Sequence, residues 1–431
     1  MFDVVFHIEG MCGGFQLLFG CGAAFRGILR SITKLWEFSV RLQRLFFLMI
    51  SLGVLTPIFL HADDTGDGKE FVEERRLRLW TAQTQNRDLV YSTYQRVDHL
   101  QGTDPGSWVY EWSHIADYFA DQGETFAAAG DRNAARDAFL TASKYYGISR
   151  FPAKTLPGQL HAYQEHLKYY KRAGEYFDPP LVVVKIPFDK HEIQGYLHMP
   201  PGVEKPALIL WNGGIDTWKG DVYNNIQPYI EAGFAVLTFD VLGTGENSDW
   251  AARPDSNTLH SAVIDYMQTY PLIDGKYIAH VGFSFSGYYA ARNAITEERL
   301  FAVIAACAPV HDAWPTLYGG PWEIQEALAS AVHMPRDDAN AVQQQLLEFS
   351  LVKQGLLKGP DSLKVPTLVV DGDLDNLVPM SDLHLLADSG KETDLWIMGG
   401  DQHCFGQYRS IVMPKMAGWL VKKLAAKKAS Q

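Results

Sequence analysis

A chain of 431 residues, 47% apolar and 20% charged, can bury a full core and has room for one large domain and a smaller one. A formal charge of −12, with no basic run outside the termini, excludes a nucleic-acid binder, which must neutralise phosphates with Lys and Arg clusters. No close His/Cys/Asp grouping has metal-ligand spacing, so neither a metal nor a cofactor is expected.

The first feature along the chain is an apolar run from Leu45 to Leu60, preceded by Arg41 and Arg44 and followed by His61-Ala62-Asp63-Asp64. That is the layout of a secretory signal peptide, and the run is too short and too interrupted by Pro57 for a stable membrane span. Because it lies far from Met1, translation is expected to start near Leu35 or Val40, leaving a spurious extension within residues 1–62. Leu60 is not the small residue expected three positions from a cut after Ala62, so retention as a membrane anchor is the alternative. Either way the folded body is expected to be exported, to the periplasm or beyond. Cys12 and Cys21 would then be removed, leaving Cys307 and Cys404.

After a polar linker, residues 70–178 read as helices rich in aromatics, among them Trp80, Tyr94, Trp108, Trp112, Tyr118 and Phe139. Following Gly130-Asp131, Ala134, Ala138 and Ala142 share one helical face, with Phe139 and Tyr146 beside it. The pattern resembles half a tetratricopeptide unit, but no second copy recurs at that period, which excludes a solenoid. Most of these aromatics are expected in the core, and a few around a pocket.

From Pro180 the pattern changes to strands at Leu181–Ile186 and Ile193–Met199. It then alternates strand and helix, with strands at Ala207–Asn212, Phe234–Phe239, Tyr277–Phe283, Phe301–Ala306, Thr367–Asp371 and Leu395–Met398. Such alternation predicts an α/β fold, a mostly parallel sheet covered on both faces with ligands at the carboxyl ends of its strands. An insertion over residues 310–363, with helical runs at Glu323–Val332 and Ala341–Lys353, can serve as a lid.

The segment Val281–Ala290 reads as a strand turning sharply into a helix with a serine at the turn, a nucleophile elbow. Such a turn crowds the positions two residues to either side. Gly282 and Ser286 are small, whereas Ser286 as nucleophile would place Tyr288 in the crowded position, so Ser284 is the expected nucleophile. In the loop Gly372–Pro379, Asp375 is the expected acid, Asp373 the fallback and Asp371 a structural residue at the strand end. His403, following the last strand, is the expected base. The oxyanion donors are expected to be the amide of Phe285 and that of Gly214 or Ile215, where an apolar strand runs into a glycine pair. Asp216 is a substrate-pocket candidate that could steer a cationic or hydroxylated group, or simply cap its loop.

With these residues in hand, the chain resembles the α/β-hydrolase superfamily over roughly residues 180–425. Within it, the chain looks like the group of dihydropseudooxynicotine hydrolase, the fungal polyketide-shortening hydrolases and the fermentation-respiration switch protein. The resemblance rests on Gly213–Asp221, similar to a Gly-Gly-x-acid-Ser/Thr-x-Lys segment, and on Phe239–Glu246, similar to a Phe-Asp-x-x-Gly-x-Gly-Glu turn. Ser286 departs from a family glycine. The resemblance implies an α/β-hydrolase fold with a helical amino-terminal cap from about residue 70. It also implies a serine hydrolase acting on a carboxylic ester or a ketone carbon–carbon bond. The expected partner is a small apolar or aromatic substrate; a homodimer is left open. The alternatives are a binding or regulatory protein retaining the fold, or a peptidase, which the lack of propeller strands disfavours. Cys307 and Cys404 should both lie on the active-site side of the sheet. Two buried thiols that never meet is the preferred reading, and a bridge the other.

Overall fold

The computed structural model describes residues 71–430, so the signal or anchor segment expected at 1–62 lies outside the described residues. Among the described residues, no helix is long and apolar enough to cross a membrane.

The chain begins with helices α1 (Glu74–Thr84), α2 (Arg87–Arg96), α3 (Trp108–Ala128), α4 (Arg132–Ser149) and α5 (Pro157–Gly174). Three of them start where a polar side chain accepts an otherwise orphaned amide: Asn86 from Leu89, Ser107 from Tyr110 and Asp131 from Ala134. Helices α3 and α4 approach so closely that a Cβ on Gly123 would lie 2.4 Å from the Phe139 ring. The aromatics form a core: Trp80, Trp108 and Trp112 have ring centroids 5.7–5.9 Å apart, and the Trp108 indole donates to the Ile148 carbonyl at 2.9 Å. Tyr118, by contrast, faces solvent.

The remainder is an eight-stranded sheet in the order β1-β2-β4-β3-β5-β6-β7-β8. Its strands are β1 (Val182–Phe188), β2 (His191–His198), β3 (Leu208–Asn212), β4 (Ala235–Thr238), β5 (Ile278–Phe283), β6 (Leu300–Ala306), β7 (Thr367–Gly372) and β8 (Thr393–Met398). β1 and β2 are antiparallel to each other and β2 to β4; the rest pair in parallel. Strands β3 to β7 are buried on both sides, which is why they read as continuous apolar runs. One face packs against α6 (Tyr223–Glu231) and the carboxyl-terminal helix, Arg409–Ala429, through Ile226, Tyr229, Met413, Met416 and Leu420. The other packs against α7 (Thr258–Met267), α8 (Phe285–Thr296) and the insertion helices α9 (Trp322–Ala331) and α10 (Ala339–Leu347), then α11 (Met380–Ala387). The carboxyl-terminal helix is α12.

Helix α10 stops at Leu347, short of the expected Lys353. The chain there leaves the helix so that Phe349 and Leu351 can enter the core, and the Leu351 amide bonds the Val310 carbonyl at 2.9 Å. Tertiary contact overrides local propensity.

Trp112 is fully buried at the centre of the aromatic cluster. Trp112→Ala should lower stability by about 3–5 kcal/mol, read as a shift of the urea midpoint by circular dichroism. A loss below about 1 kcal/mol would show that the cluster collapses around the void.

Candidate active site

Strand β5 runs into α8 through Ser284, whose backbone sits at φ 54° and ψ −117°. That left-handed turn is held by the Ser284 amide bonding the Ala306 carbonyl at 2.8 Å. A Cβ on Gly282 would lie 2.2 Å from the Ser286 carbonyl, so glycine there is a steric requirement. Ser286 itself is buried, and its Oγ has no hydrogen-bond partner among the described residues.

His403 follows β8 on a short turn and reaches Ser284 Oγ with Nε2 at 2.9 Å, while its Nδ1 lies 2.5 Å from Asp375 Oδ2. The other carboxylate oxygen of Asp375 accepts the amides of Leu377 at 2.7 Å and Val378 at 3.1 Å. Burial raises the Asp375 pKa, but the His403 charge and these hydrogen bonds outweigh it and hold the carboxyl well below the usual range. Asp373 does something else: its Oδ1 accepts the Gly400 amide at 2.7 Å and so pins the histidine loop. Asp371, at the end of β7, accepts the amides of Gly372 and Cys404 at 2.8 and 2.9 Å. Burial, then the hydrogen bond and charge of Asp375, push its pKa well up.

The loop after β3 passes close to the serine: a Cβ on Gly214 would meet Ser284 Cβ at 3.4 Å and Oγ at 3.8 Å. The Gly214-Ile215 backbone therefore runs beside the hydroxyl, and the amide of Phe285 opens α8 as one of its orphan donors. Asp240 anchors this loop by accepting the amides of Lys219 at 2.8 Å and Glu246 at 3.0 Å and the Tyr163 hydroxyl at 3.1 Å. The Lys219 ammonium bonds Glu246 in turn. These contacts join the two sequence motifs at 213–221 and 239–246 into one unit.

The carboxylate of Asp216 is occupied by Arg76 of α1 at 2.5 Å and by Thr217 Oγ1 at 3.2 Å. It is therefore not open to a substrate cation, which corrects the steering role considered for it. Arg150, the residue that caps the end of α4, bonds the Asp216 carbonyl at 2.9 Å, pairs with Asp221 and stacks over Trp218. These ion pairs carry the helical region onto the carboxyl ends of the strands. The resulting cavity over Ser284 is lined by Trp80, Ile148 and Phe151 from the helices, Trp211, Phe283 and His403 from the sheet domain, and Ile324 from α9.

Cys307 and Cys404 are joined in a disulfide with their Cα atoms 5.2 Å apart, which overturns the reading of two thiols that never meet. Strand order explains it: β6 ends between the elbow and β7, and the Cys404 amide is bound to Asp371 at the tip of β7. Sequence separation hid a neighbourhood that the parallel sheet creates.

A family model described as Esterase FrsA-like matches residues 81–425. The chain belongs to the FrsA-like esterase family. It is 26% identical over 337 residues to Esterase FrsA of Photobacterium profundum, covering 76% of this chain and 79% of that one. With Esterase FrsA of Vibrio cholerae it shares 28% identity over 303 residues, 68% and 70% of the two chains. Among solved structures, 2,6-dihydroxy-pseudo-oxynicotine hydrolase superposes with a TM-score of 0.71 at 18% identity, covering 81% of this chain and 96% of that one. AbyA5 does so with 0.63 at 22%, covering 81% and 98%. At those identities the two structures speak to the fold, which is that of the α/β-hydrolases. The protein is an esterase of that fold.

Among the described residues of this FrsA-like esterase, two sets bring potential metal-ligand atoms within 4.8 Å, Cys307/His403/Cys404 and Asp371/Asp375/His403. Neither suits a cation. The sulfurs are bonded to each other, and the carboxyls are engaged by His403 and backbone amides. Sequence reasoning missed two further groups. One is a buried network in which Asn212 bonds His260 and His280 at 3.2 and 3.1 Å, with burial pushing His260 down to about 3. The other is a set of cationic side chains in the cavity wall, Arg75, Arg76, Lys144, Arg150 and Arg409. Neither follows a local period, so no pattern along the chain marks it.

Gly282→Ala should lower the melting temperature and abolish ester hydrolysis, because the new methyl lands on backbone that cannot step aside. An active, equally stable variant would mean that the elbow relaxes.

Proposed function

We propose that the protein is a serine esterase in which Ser284 attacks the ester carbonyl. His403 takes the serine proton and returns it to the leaving alcohol, and Asp375 holds the ring tautomer and stabilises the imidazolium. The acyl-enzyme is then hydrolysed by water activated by the same histidine. The amides of Phe285 and of Gly214 or Ile215 hold the oxyanion. The observation that carries this reading is the unbroken chain from Ser284 Oγ through His403, at 2.9 Å and 2.5 Å, to Asp375. No feature of the described residues favours carbon–carbon cleavage over ester hydrolysis.

In this reading the helical region 70–178 is a cap. Trp80 and Phe151 from it, with Trp211 and Phe283 from the sheet, supply flat apolar walls suited to an apolar or aromatic group. The Cys307–Cys404 bridge supports folding in an oxidising compartment, in line with an exported protein or one anchored by its amino-terminal segment.

Ser284→Ala should reduce hydrolysis of short aryl esters by roughly four to six decades and abolish fluorophosphonate labelling, while Ser286→Ala keeps most activity. Labelling that moved to Ser286, or activity that survived Ser284→Ala, would overturn the assignment. Asp375→Asn should cost about four decades in kcat by imposing the wrong His403 tautomer. Asp373→Asn should cost far less, and the reverse order would transfer the acid role to Asp373.

A further inference from the structure

The cavity over Ser284 is electrostatically one-sided. Five cationic residues line it, Arg75, Arg76, Lys144, Arg150 and Arg409, against two acids, Asp216 and Asp221. Each acid is already matched, Asp216 by Arg76 and Asp221 by Arg150. Three cations are left over. Among the described residues Arg75 pairs with Glu73, a half-exposed carboxylate 3.7 Å away, and feels Asp216 and Asp375 at longer range. Lys144 and Arg409 make no ion pair among the described residues, and the buried Nε of Arg409 has no hydrogen-bond partner there.

The other acids nearby do not make up the difference. Asp375 is committed to His403, and Asp401, whose charge favours the Arg409 cation from a distance, makes no ion pair with it and turns its oxygens to the amides of Gln402, Gln407 and Tyr408. Glu323, close to Arg76, has its carboxyl pushed up by burial and does not line the cavity. Arg409 lies with its guanidinium 5.5 Å from the Phe283 ring centroid, on the residue just before the nucleophile's own turn. Partial burial pushes Arg409 down to about 10 and Lys144 down to about 8, although both side chains keep some exposure to water. Cations partly withdrawn from water without an ion-pair partner are costly unless something else supplies the counter-charge.

We propose that the counter-charge is the substrate: a carboxylate-bearing ester whose anionic group seats against Arg409 and its neighbour Arg75 while its ester carbonyl lies over Ser284. The inference rests on the esterase reading and adds the class of ester. A guanidinium fork orients a carboxylate in two bonds at once, and Trp80, Phe151 and Phe283 hold the apolar stem between the two polar ends. Neutral esters keep the same chemistry but forgo this anchor and leave the cations unmatched.

The test uses two matched pairs. Para-nitrophenyl hemiglutarate against para-nitrophenyl valerate places the charge on the acyl side, and para-butanoyloxybenzoate against para-butanoyloxybenzamide places it on the alcohol side. In at least one pair the wild-type protein should favour the anionic ester by about tenfold or more in kcat/KM, as a charge-assisted pair does. Arg409→Gln should reduce that ratio by about tenfold, and Arg75→Gln, read the same way, serves if Arg409→Gln does not fold. Neutral and anionic esters cleaved equally well in both pairs, or a preference that survives both substitutions, would overturn the inference while leaving the esterase reading intact. Hydrolysis of none of the four esters would remove the esterase reading itself.

Discussion

One buried carboxylate, Asp240, holds together the parts of this molecule that meet at the active site. It receives the Lys219 amide from the loop that passes Ser284, the Glu246 amide from the turn after β4, and the Tyr163 hydroxyl from the helical region. A carboxylate excluded from water is tolerated only when its lone pairs are filled, so these three segments are mutually required. A Cβ on Gly245 would come within 2.1 Å of Asp240, which is why the turn must carry glycine at a positive φ. The position of the Gly214-Ile215 backbone is thus set from behind by an ion that never touches the cavity.

Much of this was legible along the chain because the relevant constraints are local. Continuous apolar runs mark strands covered on both faces, and the elbow declares itself through steric demands two residues either side of Ser284. Asp375 and His403 could be sought because each follows a strand. What stayed hidden depends on three-dimensional neighbourhood. Arg76 reaches Asp216 across 140 positions, Arg150 reaches Asp221 across 71, and neither pairing leaves a period in the sequence. The carboxylate of Asp216, read alone, suggests attraction for a cation; read with Arg76 and Arg150, it is a fastening. The electrostatic sign of the cavity therefore reverses between the two levels of description.

The helical region contributes more than a wall. Its Arg76 and Arg150 are spent on the loop beside the nucleophile, so the segment covering the site also holds that loop in place. Their desolvation is offset by good geometry and by stacking on aromatic faces, Arg76 on Phe151 and Arg150 on Trp218. The wall of the cavity and the geometry of that loop are consequently coupled through the same helices.

The bridge between Cys307 and Cys404 spans 97 positions and sits one residue from His403. Closing a loop of that length removes on the order of 4–5 kcal/mol of freedom from the unfolded chain. Until the bond forms, the histidine turn is held by hydrogen bonds such as Asp373 to Gly400 and Asp371 to Cys404 alone. Ser284 lies outside the closed loop and His403 at its end, so the contact between them reaches its full rigidity only after oxidation. Material produced in a reducing cytosol and material matured in an oxidising space are, in that sense, two different preparations of one sequence.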